Sequence, residues 1–246
     1  MSFENKVALV TGGSRGLGRE MVLAFAREGA DVVIASRKLE NCEAVAAEVE
    51  ALGRRALPVA CHVGHWVELG DLADRAYEEF GKVDILVNNA GMSPLYPSLE
   101  EVSEELFDKI IGVNLKGPYR LSAIVGSRMA AGDGGVILNI SSTGSIHPSP
   151  NAEPYGAAKA GLNALTRSLA FAYRPKVRVN CILAGPFLTD ISKAWDMEAF
   201  ERNASSSIAL GRGGEPDEIV GAALYLCSDA ASFTNAALIS VDGGGR

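Results

Sequence analysis

Short apolar runs alternate with longer amphipathic ones along the whole 246-residue chain, and this alternation restricts the fold more than any other feature. The runs at 7–10, 32–34, 56–63, 85–87, 136–140, 177–182 and 238–241 are apolar at most positions. A strand with one wet face alternates polar and apolar residues, whereas a continuously apolar strand is covered on both faces. Between these runs, residues 16–28, 39–52, 67–80, 155–173 and 215–227 place apolar side chains at helical spacing, and Gly29, Gly53 and Gly81 close the first three. Residues 104–131 also read as helix, with Ser103 as N-cap and a break near Gly117-Pro118. Residues 190–210 read as irregular or short-helical. Strand and helix in alternation imply an α/β fold with a doubly wound parallel sheet of about seven strands, right-handed crossovers and helices on both faces. No linker or low-complexity tract interrupts the pattern, so one domain spanning 1–246 is expected.

Several function classes are disfavoured at once. The chain carries 23 Lys and Arg against 30 Asp and Glu, a net charge of −7, which is the wrong balance for a nucleic-acid surface. Cys42, Cys61, Cys181 and Cys227 are scattered without CxxC or metal-ligand spacing, so they are expected to be reduced, buried and metal-free. No run approaches the ~20 apolar residues of a membrane helix, and no secretory leader is evident, so a cytoplasmic protein is expected. The sequons at Asn139 and Asn203 are then chance matches.

Thr11-Gly12-Gly13-Ser14-Arg15-Gly16-Leu17-Gly18 joins the first strand to the first helix. Helix N-terminal N–H groups and the helix dipole attract phosphate, and glycines let the backbone approach it. The spacing differs from GxGxxG, and the Gly-Lys-Ser/Thr ending of a nucleotide-triphosphate loop is absent. Further along stand Asn88-Asn89-Ala90-Gly91 after the fourth strand and Val113-Asn114-Leu115-Lys116-Gly117. Ser142 lies thirteen residues before Tyr155, and Lys159 four after it. Arg178-Val179-Asn180, Leu210-Gly211-Arg212, Gly214-Glu215-Pro216 and Val241-Asp242-Gly243-Gly244 complete the series. Each segment is common alone. Together and in this order they resemble the short-chain dehydrogenase/reductase family over nearly the whole chain.

The resemblance implies a Rossmann fold and a carbonyl–alcohol interconversion using a nicotinamide cofactor. It implies Ser142, Tyr155, Lys159 and Asn114 as catalytic residues. It implies cofactor contacts from Gly12, Ser14, Arg15, Gly16, Leu17, Gly18, Ser36, Arg37, His62, Val63, Asn89, Ala90, Gly91, Ile140, Tyr155, Lys159, Gly185, Phe187 and Thr189. The chemistry suits these residue types. The cofactor supplies a hydride, and the protein must supply a proton at the carbonyl oxygen. A tyrosine hydroxyl, with an ordinary pKa of about 10, can donate and recover it. Lys159, one helical turn on, shares its face and is expected to lower that value. Ser142 is expected to hold the substrate oxygen. By resemblance, Lys159 also contacts the nicotinamide ribose, and Asn114 orders a water leading to it.

No carboxylate follows the second strand, where an NAD-preferring protein carries one. Ser36 and Arg37 stand there instead, with Arg15 in the glycine loop as a second cation, and they suit a 2′-phosphate, which favours NADP(H) with NAD(H) as the alternative. Three departures from the family pattern stand out. His62 replaces the usual aspartate facing the adenine amino group. Ala184 replaces proline before Gly185, which is expected to loosen the backbone toward Phe187. Asn235-Ala236-Ala237 replaces Thr-Gly-Gln in a region that often packs on a neighbouring subunit. Substrate contacts are expected from 92–98, 145–154 and a flap at 187–210, with Trp195 and Met197 as a lid. These stretches are apolar with few charges. They are similar to those of 3-oxoacyl-carrier-protein reductases or, alternatively, of sugar and polyol dehydrogenases. A non-catalytic NADP(H)-binding sensor or scaffold is the alternative of another class. A homotetramer or homodimer, joined through the helices bearing Tyr155 and Glu215, is the family expectation.

Overall fold

The computed structural model describes every residue except 191, 193, 194 and 246. Its centre is a seven-stranded parallel sheet in the order β3-β2-β1-β4-β5-β6-β7. The strands are β1 (Val7–Thr11), β2 (Asp31–Ser36), β3 (Ala56–Ala60), β4 (Ile85–Asn88), β5 (Gly135–Ser142), β6 (Val177–Ala184) and β7 (Leu238–Val241). The helices are α1 (Gly16–Arg27), α2 (Leu39–Ala51), α3 (Trp66–Phe80), α4 (Glu104–Ile111), α5 (Gly117–Ala131), α6 (Glu153–Ala172), α7 (Met197–Ser207) and α8 (Val220–Cys227).

Period-2 geometry divides each central strand between two cores. Ala8 and Val10 of β1 face one core with α1, α2 and α8, while Val7 and Leu9 face the other with α3, α5 and α6. Both layers are closed to solvent: Val10, Val32, Ile34 and Leu138 in the first and Leu9, Val33, Leu86 and Ile137 in the second are fully buried. Truncating such a side chain to alanine costs about 2–5 kcal/mol. Continuously apolar strands are what a sheet covered on both faces demands.

Three boundaries differ from the sequence reading, each for a local reason. First, β3 stops at Ala60 rather than 63. Its partner β2 ends opposite at Ser36, and after Cys61 N–H donates to Ser36 O (2.8 Å) the chain turns away. β3 is an edge strand, which is why it tolerates Pro58. Second, there is no break at Gly117-Pro118. The irregularity is a π-helical turn over Gly112–Lys116 that runs without a gap into α5, and Pro118, which has no N–H to offer the preceding turn, stands directly after it. Gly117 is demanded by packing, since a Cβ there would lie 2.2 Å from Val63 O. Third, the 190–210 stretch contains a regular helix, α7, whose N-cap Asp196 accepts from Ala199 N–H at 3.0 Å.

Candidate active site

The strand order reverses between β1 and β4, and a crevice at the carboxyl ends of strands on either side of such a switch point is where open α/β sheets take ligands. The sequence-predicted residues converge on that edge. Residues Gly12 to Gly18 form the turn after β1, and Ser36 and Arg37 end and follow β2. His62 and Val63 follow β3, and Asn89, Ala90 and Gly91 follow β4. Ile140 and Ser142 lie at the end of β5, and Gly185, Phe187 and Thr189 follow β6. Asn114 reaches the edge from the π turn, and Tyr155 and Lys159 from α6.

Polar side chains between neighbouring turns hold this edge together. Thr11 Oγ1 accepts from Asn89 N–H (3.0 Å) and Ala90 N–H (3.1 Å), and Asn89 Nδ2 donates to Thr11 O and Gly12 O. The glycines fit this closeness. A Cβ on Gly12 (φ +65°) would meet Asn89 Nδ2 at 2.8 Å, and one on Gly18 would lie 2.2 Å from Gly12 O. The N-terminus of α1 has no side-chain cap and no acidic residue in its first turn. N–H groups and a helix dipole in that setting are a donor set that fits a phosphate.

Beneath it, Asn88 Nδ2 donates to Asn139 Oδ1 (2.9 Å) and Ser122 Oγ (2.8 Å), and Asn139 Nδ2 donates to Thr166 Oγ1 (2.9 Å). All four side chains are buried. This network pins β4, β5, α5 and α6 to one another, and the sequence reading passed over it. Its one signal was an asparagine inside the apolar run 136–140, which a solvent-facing position would also explain.

On that base stand the reactive groups. Ser142 Oγ accepts from Gly144 N–H (3.1 Å) and engages the Tyr155 hydroxyl. Lys159 is buried and its Nζ donates to Ile140 O at 2.8 Å. That nitrogen lies 5.8 Å from the centre of the Tyr155 ring, so i, i+4 spacing does bring the two together. Burial pulls the Lys159 ammonium down to about 8, with Cys181 beside it opposing. The expectation for Tyr155 is overturned. Its pKa is raised, because burial of the phenol outweighs the Ser142 hydrogen bond that favours the phenolate. Asn114 Nδ2 donates to Met92 O (2.8 Å) and Ile110 O (3.0 Å), and its Oδ1 accepts from Met92 N–H (3.2 Å). Its Oδ1 and Lys159 Nζ converge on Gly91, 3.0 and 3.5 Å from where a Cβ would stand.

A second unforeseen contact closes the substrate side. Buried Tyr96 hydrogen-bonds the Glu153 carboxylate and accepts from Glu153 N–H (2.9 Å), tying the 92–98 loop to the first turn of α6 two residues before Tyr155. Beside it, Leu99, Val102, Phe107 and Pro154 line an open trough of about 510 Å³ with Glu104 and Glu153 at its rim.

Toward the far end of the crevice, Arg15 pairs with Asp190 at 3.4 Å, both side chains well exposed, and Thr189 packs over Gly16. Arg37 is exposed and makes no ion pair among the described residues. The backbone around Ala184 is tied by main-chain pairing. Ala184 is still paired with Val241 in β6, Gly185 N–H donates to Val241 O (2.9 Å), and Phe187 bridges to Gly214. The proposed flap is described in part: Met197 begins α7 and Trp195 packs on Phe200 with ring centres 5.2 Å apart, while 191, 193 and 194 lie outside the described residues. No helix among the described residues is long and apolar enough to cross a membrane.

Known proteins share this fold and much of this sequence. A family profile described as enoyl-(acyl carrier protein) reductase matches residues 12–245. Dehydrogenase/reductase SDR family member 4 of Sus scrofa is 36% identical over 243 residues, covering 98% of this chain and 87% of the relative. A structure of 7α-hydroxysteroid dehydrogenase with NADH and 7-oxo glycochenodeoxycholic acid is 35% identical, with a TM-score of 0.95, over 99% of this chain and 95% of that one. The 3-ketoacyl-(acyl-carrier-protein) reductase of Brucella melitensis with NADH is 37% identical, with a TM-score of 0.89, over 99% of both chains.

Proposed function

The chain belongs to the short-chain dehydrogenase/reductase family, and on that premise we propose that Tyr155 gives and takes the proton while a carbonyl and a secondary alcohol are interconverted. The observation that carries the proposal is the convergence of Ser142, Tyr155 and buried Lys159 at one edge of the sheet. A bound nicotinamide dinucleotide supplies the hydride chemistry. Its phosphates suit the open N-terminus of α1. Gly12, Ser14, Gly16, Leu17, Gly18, Val63, Asn89, Ala90, Gly91, Gly185, Phe187 and Thr189 suit the rest of it along the same crevice.

The protein's own part follows from the geometry. A phenol raised by burial stays protonated at neutral pH, which makes Tyr155 an acid toward a carbonyl oxygen. Ser142, its acceptor side taken by Gly144 N–H, directs its proton at that same oxygen. Lys159, pulled down to about 8, exchanges protons close to neutral pH and replenishes Tyr155. Asn114 and Lys159 converge beside Gly91, and a water held between them extends the relay outward.

NADP(H) is the preferred form in this reading, because Arg37, just beyond β2, is exposed and makes no ion pair among the described residues, with Arg15 released from Asp190 as its partner. The substrate is an apolar carbonyl compound of the kind a 3-oxoacyl or 7-oxo steroid group represents, which the trough lined by Leu99, Val102, Phe107 and Pro154 suits. A homotetramer in the cytoplasm is the working assembly, with exposed Trp66, Tyr119 and Phe171 available for contacts between subunits. The test is a panel of apolar ketones and secondary alcohols followed by NADPH absorbance, repeated with NADH. The reading expects turnover with a higher kcat/KM for NADPH. Absence of turnover on the whole panel favours a cofactor-binding sensor, and a clear NADH preference overturns the cofactor assignment.

A further inference from the structure

His62 follows β3 at the crevice edge, next to the end of β2 where Arg37 lies. Its ring is held on two sides. Gly64 N–H donates to His62 Nδ1 at 3.1 Å, and the His65 ring stacks on it with centres 4.2 Å apart and planes 21° from parallel. Gly64 permits the fold-back, because a Cβ there would come within 3.0 Å of His62 Cε1. A nitrogen that accepts a hydrogen bond carries no proton, and a neutral imidazole carries one proton on the other nitrogen. Burial, His65 and Arg37 all disfavour the imidazolium. The proton of His62 therefore resides on Nε2, and the free edge of the ring is a donor. Both oxygens of the neighbouring carboxylate are already engaged. Glu68 Oε2 accepts from His62 N–H at 2.6 Å, and Oε1 bonds His65 Nδ1 at 2.5 Å.

We infer that His62 reads the 6-position of the cofactor's purine as a fixed hydrogen-bond donor, recognising an acceptor such as a 6-oxo group rather than the 6-amino group of adenine. This rests on the reading of the crevice as a dinucleotide site. A carboxylate at this position would accept from the 6-amino group and repel a 6-oxo group. A donor reverses that preference, so this protein tolerates hypoxanthine in place of adenine.

Two measurements test the inference. ¹⁵N NMR of the protein without cofactor reports which His62 nitrogen carries the proton: Nε2 is expected, and protonated Nδ1 overturns the inference. Calorimetric Kd values are then compared for NADPH and its nicotinamide hypoxanthine counterpart. The wild type is expected to bind the two within about threefold or to favour hypoxanthine, and His62→Asp to favour adenine by about tenfold or more, since a mismatched buried polar group is costly. A wild-type preference for adenine of tenfold or more sinks the inference while leaving the dinucleotide site intact. Failure to bind either nucleotide sinks the site reading and the inference with it.

Discussion

Two stretches of the same sheet edge are built in opposite ways. Beneath Ser142, Tyr155 and Lys159, buried amides and hydroxyls of Asn88, Asn139, Ser122 and Thr166 bond one another across four elements. Across the flap, the contact between Arg15 and Asp190 is one exposed ion pair at 3.4 Å, of a kind that contributes about 1 kcal/mol or less. The first arrangement fixes reacting atoms, because a buried polar group that leaves its partner incurs its full desolvation penalty. The second contributes so little that its loss leaves the buried network as it is. A family acting on many carbonyl compounds needs that division.

The sharpest break of the comparison is Lys159→Met. It is expected to lower kcat by about a thousandfold or more, in the range of a lost acid–base partner. It should also stabilise the fold. Burial lowers the ammonium from its ordinary value of 10.5 to about 8, which corresponds to a penalty of roughly 3 kcal/mol below pH 8. Losing the bond to Ile140 O offsets about 1 kcal/mol of the gain. The sign is testable by urea titration. Between pH 8 and 10.5 the unfolded chain binds the proton that the folded chain has released, so wild-type stability rises through this window and the mutant's advantage shrinks.

Asn139→Leu attacks the scaffold instead of the chemistry. It removes one bond from Asn88 Nδ2, which keeps Ser122 Oγ, and one from Thr166 Oγ1, which keeps Leu162 O, and is expected to destabilise by about 1–3 kcal/mol, read from the urea midpoint. On the loosely held side, Arg37→Ala should weaken NADPH binding by about tenfold and leave NADH unchanged, the value of one charge-assisted contact, read by calorimetry. The smallest effect lies outside both regions. Ala236 has φ +58° where the family carries glycine, and Ala236→Gly should stabilise by about 0.5–1 kcal/mol by relieving left-handed strain, seen as a higher Tm.

Much of this was legible in the sequence. Runs that are apolar throughout, separated by helical spacing, determine a sheet covered on both faces, and ordered short motifs bring the site residues to one edge. The unread parts share a physical reason: they depend on partners distant in the chain. Asn139 looks like a flaw in a strand until Asn88 and Thr166 stand beside it. Gly117 looks like a helix break until Val63 O presses on it. The tyrosine–lysine spacing predicts proximity correctly and the direction of the Tyr155 shift wrongly, because burial is a property of the packed protein. The donor character of His62 depends on one N–H from Gly64.

The central claim is that Tyr155 carries the proton. Its most direct test is Tyr155→Phe, with single-turnover hydride transfer and cofactor Kd measured on the same sample. The account predicts a rate lower by about three orders of magnitude or more, with Kd within about twofold of wild type because Lys159 and the α1 N-terminus are untouched. A rate within about tenfold of wild type at unchanged Kd would contradict it.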